Sequence, residues 1–141
     1  MKAYRQAELL NLDAWVPEQG AQAVPAGTWW DTVRVPEVLG VNVVRAFRTL
    51  APTRLGPVIA DLDMKVPSLY FLTPLDTVAT WDEPPTRGLG HHSYIVVPDA
   101  DTTSPPGPYW LIRPQDITVL TDPRALRRFL HCAEPDTHPP A

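Results

Sequence analysis

A chain of 141 residues with 44% hydrophobic and 20% charged residues has the length of one domain and the apolar content for a core, which excludes a wholly disordered chain. Its 12 basic and 16 acidic residues leave a formal net charge of -4, so generic, diffuse binding of a phosphate backbone is disfavoured. One Cys provides neither an internal disulfide nor a thiolate metal site, and no apolar run approaches the roughly 18 residues of a membrane span, so a cytoplasmic protein without a membrane partner is expected.

The 18 Pro divide the chain into short pieces, because each Pro fixes φ and lacks a donor. Residues 4–16 carry Leu9, Leu12 and Trp15 at helical spacing and predict a short helix. Residues 17–27 read as a loop. Residues 29–35 (WWDTVRV) are aromatic and β-branched and predict a strand. Pro36 then suits the first turn of a helix, with Glu37 near its positive end. In that helix Leu39, Val43, Ala46, Phe47 and Leu50 form an apolar stripe, with Asn42, Arg45 and Arg48 away from it.

Residues 57–63 and 68–73 predict two strands joined by the turn MKVP, most simply a hairpin. Residues 93–97 (SYIVV) and 109–113 (YWLIR) predict two more. Asp122 and Pro123 form an N-cap and first position for a last helix, in which Leu126, Phe129 and Leu130 share a face. Residues 134–141 read as a disordered tail. The expected architecture is therefore α+β (α/β): one small mixed, largely antiparallel sheet with two or three helices, in a single domain over residues 1–133.

Three segments in this order carry a resemblance: TVRVPEVLG, SLYF, and RGLGHHSYIVVP followed by PPGPYWLIRP. Over residues 29–115 the chain resembles the later part of the bifunctional DNA primase/polymerase domain common in actinobacteria, a member of the archaeo-eukaryotic primase superfamily. The resemblance implies an Asp-x-Asp metal motif near Arg34, Val35 and Pro36, a catalytic His where Ser68 precedes Leu69, Tyr70 and Phe71, and a third acid just before Ser93 and Tyr94. None of these stands in the sequence at those points. It also implies a fuller domain with an upstream Cys-rich stretch, so a shortened relative is expected.

Nucleotidyl transfer needs two hard cations held by carboxylates, and a cation such as Arg34 opposes metal binding. The resemblance with these residues missing therefore implies a non-catalytic binding or regulatory protein without a cofactor. It would engage a protein partner, a nucleotide or a nucleic acid, with Trp29, Trp30, Arg34, Arg45, Arg48, Ser68 and Tyr94 as candidate binding residues.

Two alternatives stand beside this. Asp61 and Asp63, at i and i+2 of a strand, would share a face about 6 to 7 Å apart and could hold Mg2+, with Asp82 or Glu83 completing a site and His92 as a base, in an enzyme acting on a nucleotide or phosphate ester. A Trp-rich surface could instead pair with a second copy, as a homo-oligomeric accessory subunit. His91 and His92, on extended backbone, would face opposite ways. Gly88-Leu89-Gly90 lacks the rest of a dinucleotide fingerprint. Arg124, Arg127 and Arg128, like Arg45, Arg48 and Arg54, are basic patches most simply read as solvated helix faces, and His131 and Cys132 as helix-end residues.

Overall fold

The computed structural model describes residues 11–117 and 119–133. Within them the elements are α1 (Leu12–Trp15), β1 (Gln22–Pro25), β2 (Asp31–Pro36), α2 (Glu37–Leu50), β3 (Val58–Asp61), β4 (Ser68–Thr73), β5 (Arg87–Leu89), β6 (Tyr94–Val97), β7 (Tyr109–Ile112) and α3 (Pro123–Ala133), with short 3-10 turns at Pro52–Arg54, Val78–Thr80 and Pro114–Asp116. The fold is α+β, as expected. Residues 4–10 of the predicted first helix and the predicted tail 134–141 lie outside the described residues. No described helix is long and apolar enough to cross a membrane.

The single expected sheet is two. Five strands pair antiparallel in the order β5-β2-β4-β3-β7, and β1 pairs antiparallel with β6 in a separate ribbon. The predicted hairpin is present, with Val58 opposite Phe71 and Asp61 opposite Ser68. β4 also pairs with β2, so β2, α2 and β3 form a βαβ unit split by the strand inserted between its halves. The sequence-predicted loop over 17–27 contains β1, and the segment after Trp81 contains β5, three residues long.

Strand alternation divides the core in two. On one face of the large sheet Val33, Val35, Val58, Ala60, Leu69 and Phe71 pack against Leu39, Val43 and Phe47 of α2 and Leu126, Phe129 and Leu130 of α3. On the other, Ile59, Tyr70, Leu72 and Trp110 meet Val24, Ile95 and Val97 of the ribbon, with Trp15 and Trp30 between them. The Trp15 ring stands edge-on to Trp30 at 5.5 Å and to Trp110 at 6.2 Å. The order of layers is helices, large sheet, ribbon.

Two predicted details shift. The buried stripe of α2 includes Gly40 and Val44, while Leu50 in the last turn is 71% exposed. Gly40 is there because the helix lies directly on Leu69, whose Cδ1 would stand 2.8 Å from any Cβ at that position. Trp29 and Trp30 precede β2 in a turn closed by the Gly27 N–H donating to the Trp30 carbonyl at 2.8 Å, so strand alternation does not apply to them. Trp30 is fully buried, and Trp29 half-buried against the same cluster.

Candidate binding cleft

The ribbon covers only part of the large sheet. Beside its β6 strand a cleft of about 400 Å³ remains open. Arg34 of β2, Tyr70 of β4, Asp61 of β3 and Leu89 of β5 line it from the large sheet, Met64 from the β3–β4 turn, and Ser93, Tyr94, Ile95 and Val96 from β6 and the residue before it. The three segments singled out in the sequence, around Arg34, around Tyr70 and around Tyr94, thus meet at one place.

Pairing explains the placement. Arg34 lies opposite Tyr70 on β4 and opposite Arg87 on β5, Tyr70 lies opposite Ile59 on β3, and Asp61 lies two residues beyond Ile59. Cross-strand partners share a face, so Arg87, Arg34, Tyr70 and Asp61 belong to the face turned away from the helices. Arg34 and Arg87 are like charges side by side, and among the described residues neither has a carboxylate within ion-pair distance.

Tyr70 sits between the charged groups and is almost buried. Its hydroxyl donates to Met64 Sδ at 2.8 Å. Burial pushes the Tyr70 phenol above its ordinary 10.0; the positive charge of the Arg34 guanidinium pulls the other way, and the Asp61 carboxylate adds to the rise. Tyr94 is 69% exposed on the open side of the ribbon.

The remaining predicted residues separate. Ser68 is buried opposite Asp61, and its hydroxyl donates to the Val66 carbonyl at 2.8 Å, which ties it to the turn. Trp30 belongs to the inter-sheet core. Arg45 and Arg48 are exposed on α2, across the large sheet from the cleft. Arg54 pairs with Asp122 at 2.7 Å, and Arg127 lies 3.5 Å from Glu83 with its guanidinium 5.2 Å over the Trp81 ring, so both are engaged by neighbouring structure. Glu83 also contacts His131.

The carboxylate pair does not have the expected geometry. β3 ends at Asp61, and Asp63 lies in the turn, where its Oδ2 accepts the Gly107 N–H at 2.7 Å. Asp61 Oδ1 in turn accepts the Asp63 N–H at 3.3 Å. Glu83 is committed to α3, so these acids do not converge on a cation, and Asp61 shares its cleft with Arg34. Among the described residues no group of three or more His, Cys, Asp or Glu side chains is arranged to hold a metal ion. His91 and His92 do not diverge, because His92 has φ of 78° in a turn and the two rings lie 4.4 Å apart. Gly88 and Gly90 are accounted for by packing: a Cβ at either would stand 2.8 or 2.6 Å from Val78 side-chain carbons.

Tyr70, Leu89 and Met64 line the cleft, and Arg87 stands beside Arg34 on the same sheet face, although none of them is a candidate from the sequence. The period of two in SLYF already put Tyr70 on the face opposite Leu69 and Phe71, a usable signal, whereas Arg87 and Leu89 needed the pairing of β5 with β2. No family model, curated protein or solved structure matches this chain.

Proposed function

We propose that this chain is a non-catalytic binding or regulatory protein on a primase/polymerase-like frame, acting in the cytoplasm, and that it holds an anionic group in the cleft between its two sheets. The observation that carries the reading is the pair Arg34 and Arg87, opposite one another on one sheet face with no carboxylate at ion-pair distance among the described residues. Like charges directly opposite across strands oppose folding, and an anion between them reverses the sign of that interaction. A forked guanidinium carried on a central strand directly opposite Tyr70 is suited to a carboxylate or phosphate. The meeting of the VRVP, SLYF and SYIVVP segments at this cleft supports the frame, and the absence of the family's acids near Arg34 and before Ser93 supports a non-catalytic role.

The test is an NMR titration of the arginine side-chain N–H resonances with inorganic pyrophosphate and with glutarate. Saturable shifts of Arg34 and Arg87, lost in the double variant Arg34→Gln/Arg87→Gln, are expected; unshifted resonances overturn the reading. In parallel, template-directed nucleotide incorporation with Mg2+ or Mn2+ is expected to be nil, and incorporation lost in Asp61→Asn would replace the binding role with a catalytic one.

A further inference from the structure

The ribbon has an open edge, and that edge faces the cleft. β6 pairs only with β1 among the described strands. The Ala26 N–H donates to the Ser93 carbonyl at 2.9 Å, which makes Pro25 and Tyr94 a non-hydrogen-bonded pair. Val24 and Ile95 are then the next pair to exchange main-chain bonds, and the N–H and C=O groups of Tyr94 and Val96 point away from β1. The cleft lining agrees: four consecutive residues, Ser93 to Val96, border it, as a strand seen along its edge must, whereas a strand seen face-on presents every second residue.

Resting on the cleft reading above, we infer that the natural occupant is an extended peptide segment of a partner protein. It would add to β6 as the third strand of the ribbon and place an acidic side chain over Arg34 and Arg87. The edge offers a four-residue length, about 13 Å, along which an incoming backbone satisfies donors and acceptors that now lack a strand partner. The added strand would roof the part of the large sheet that the ribbon leaves uncovered, and its inward side chains would meet Arg34 and Asp61 of the cleft lining, with Arg87 beside Arg34 on the same sheet face. A mononucleotide would use the guanidinium pair but leave the edge unpaired. The β6 strand of a second copy would satisfy the edge but bring no carboxylate, because residues 93–97 are SYIVV.

The probe is a panel of end-blocked heptapeptides in which one Glu is moved through a Thr/Val background, with affinity and backbone amide shifts followed together. The expected result is that one Glu register binds best and shifts the amides of Tyr94 and Val96. Methylating alternate peptide nitrogens of that peptide should abolish binding, and Arg34→Gln should weaken it about tenfold, the worth of one charge-assisted hydrogen bond. Val96→Pro, which removes an outward N–H, should also abolish it, and the methylated peptide makes the same test on the unaltered protein. Pyrophosphate binding at Arg34 and Arg87 with no peptide binding overturns the inference and leaves the cleft reading standing. A concentration-dependent dimer that Val96→Pro dissolves assigns the edge to a second copy and overturns it as well. Failure of both pyrophosphate and peptide removes both readings.

Discussion

Arg34 on β2 and Arg87 on β5 are direct cross-strand partners on the cleft face of the five-stranded sheet. Side chains so placed have Cβ atoms about 5 Å apart, near enough for two positive charges to cost stability and for an opposite pair to contribute it. Arg87→Glu should therefore raise the free energy of unfolding by about 0.5 to 1 kcal/mol at low salt, with the gain shrinking as salt is added. The same change should weaken pyrophosphate binding by about tenfold or more, since it removes one donor and adds a repelling charge. Urea unfolding at two ionic strengths, beside a pyrophosphate titration, reads both effects; a variant that gains stability and keeps its affinity would remove Arg87 from the site.

The part of the fold visible in the sequence is the part fixed by local patterning. α2 showed in the repeat of Leu39, Val43 and Phe47, α3 in Asp122 and Pro123, whose N-cap is realised as the Arg124 N–H donating to Asp122 Oδ1 at 3.0 Å. The β3–β4 hairpin showed in two apolar runs joined by a short turn. β1 and β5 did not, because QAVP and RGL are short and lack an apolar run; they are strands through their partners, Ile95 and Val97 for β1, and Thr32 to Arg34 for β5. The cleft was half visible for the same reason. Arg34, Asp61 and Tyr94 stood out as charged or aromatic residues on predicted strands, but the Arg34 and Arg87 pair joins residues 53 apart in sequence through a ladder that no local pattern announces.

Tyr70 ties the cleft to pH. Burial raises its phenol above 10.0, so the folded protein holds this proton more tightly than the unfolded chain. Between the unfolded value and the higher folded one the unfolded state binds fewer protons, and stability falls as pH rises. The contribution is complete below pH 10.0 and is lost progressively above it. Tyr70→Phe should flatten that alkaline decline, as seen in thermal melts across the range. Arg34→Gln should move the titration higher still, because it removes the positive charge that stabilises the phenolate; a downward shift in an ultraviolet difference titration would contradict that influence.

Two glycines separate close packing that can yield from packing that cannot. The three atoms nearest a Cβ at Gly40 all belong to the Leu69 side chain, Cδ1 at 2.8 Å, and the helix gains propensity from alanine, so Gly40→Ala should cost about 1 kcal/mol net. A Cβ at Gly56 would stand 2.4 Å from the Thr121 nitrogen and 2.6 Å from the Leu120 carbonyl carbon, both main-chain atoms. There the Gly56 N–H donates to Thr121 Oγ1 at 2.9 Å, and the Thr121 N–H donates to the Leu72 carbonyl at 2.8 Å, which docks the segment before α3 onto the large sheet. Gly56→Ala should cost about 3 kcal/mol or more. Denaturant midpoints of the two variants decide it, and equal losses would show that residues 120–121 move aside without cost.

Trp30 and Trp110 are buried to nearly the same degree in the same cluster, 1% and 2% exposed, yet they should respond differently to loss of the indole N–H. Trp110 Nε1 donates to the carbonyls of Pro98 and Asp99, at 3.2 and 3.1 Å, and so closes the loop after β6 onto β7. Trp30 Nε1 is buried with no hydrogen-bond partner among the described residues. Replacing either by Phe removes similar volume and leaves a cavity beside Trp15, so the transfer and packing losses are comparable. The polar part differs in sign: Trp110→Phe leaves the buried Pro98 carbonyl without that donor, while the Asp99 carbonyl keeps the Thr102 N–H, whereas Trp30→Phe removes a buried group that already lacked an acceptor. Trp110→Phe should therefore be more destabilising than Trp30→Phe by about 1 to 3 kcal/mol, measured by urea unfolding of the two variants side by side. Equal losses would mean that the Trp30 indole finds an acceptor in solution.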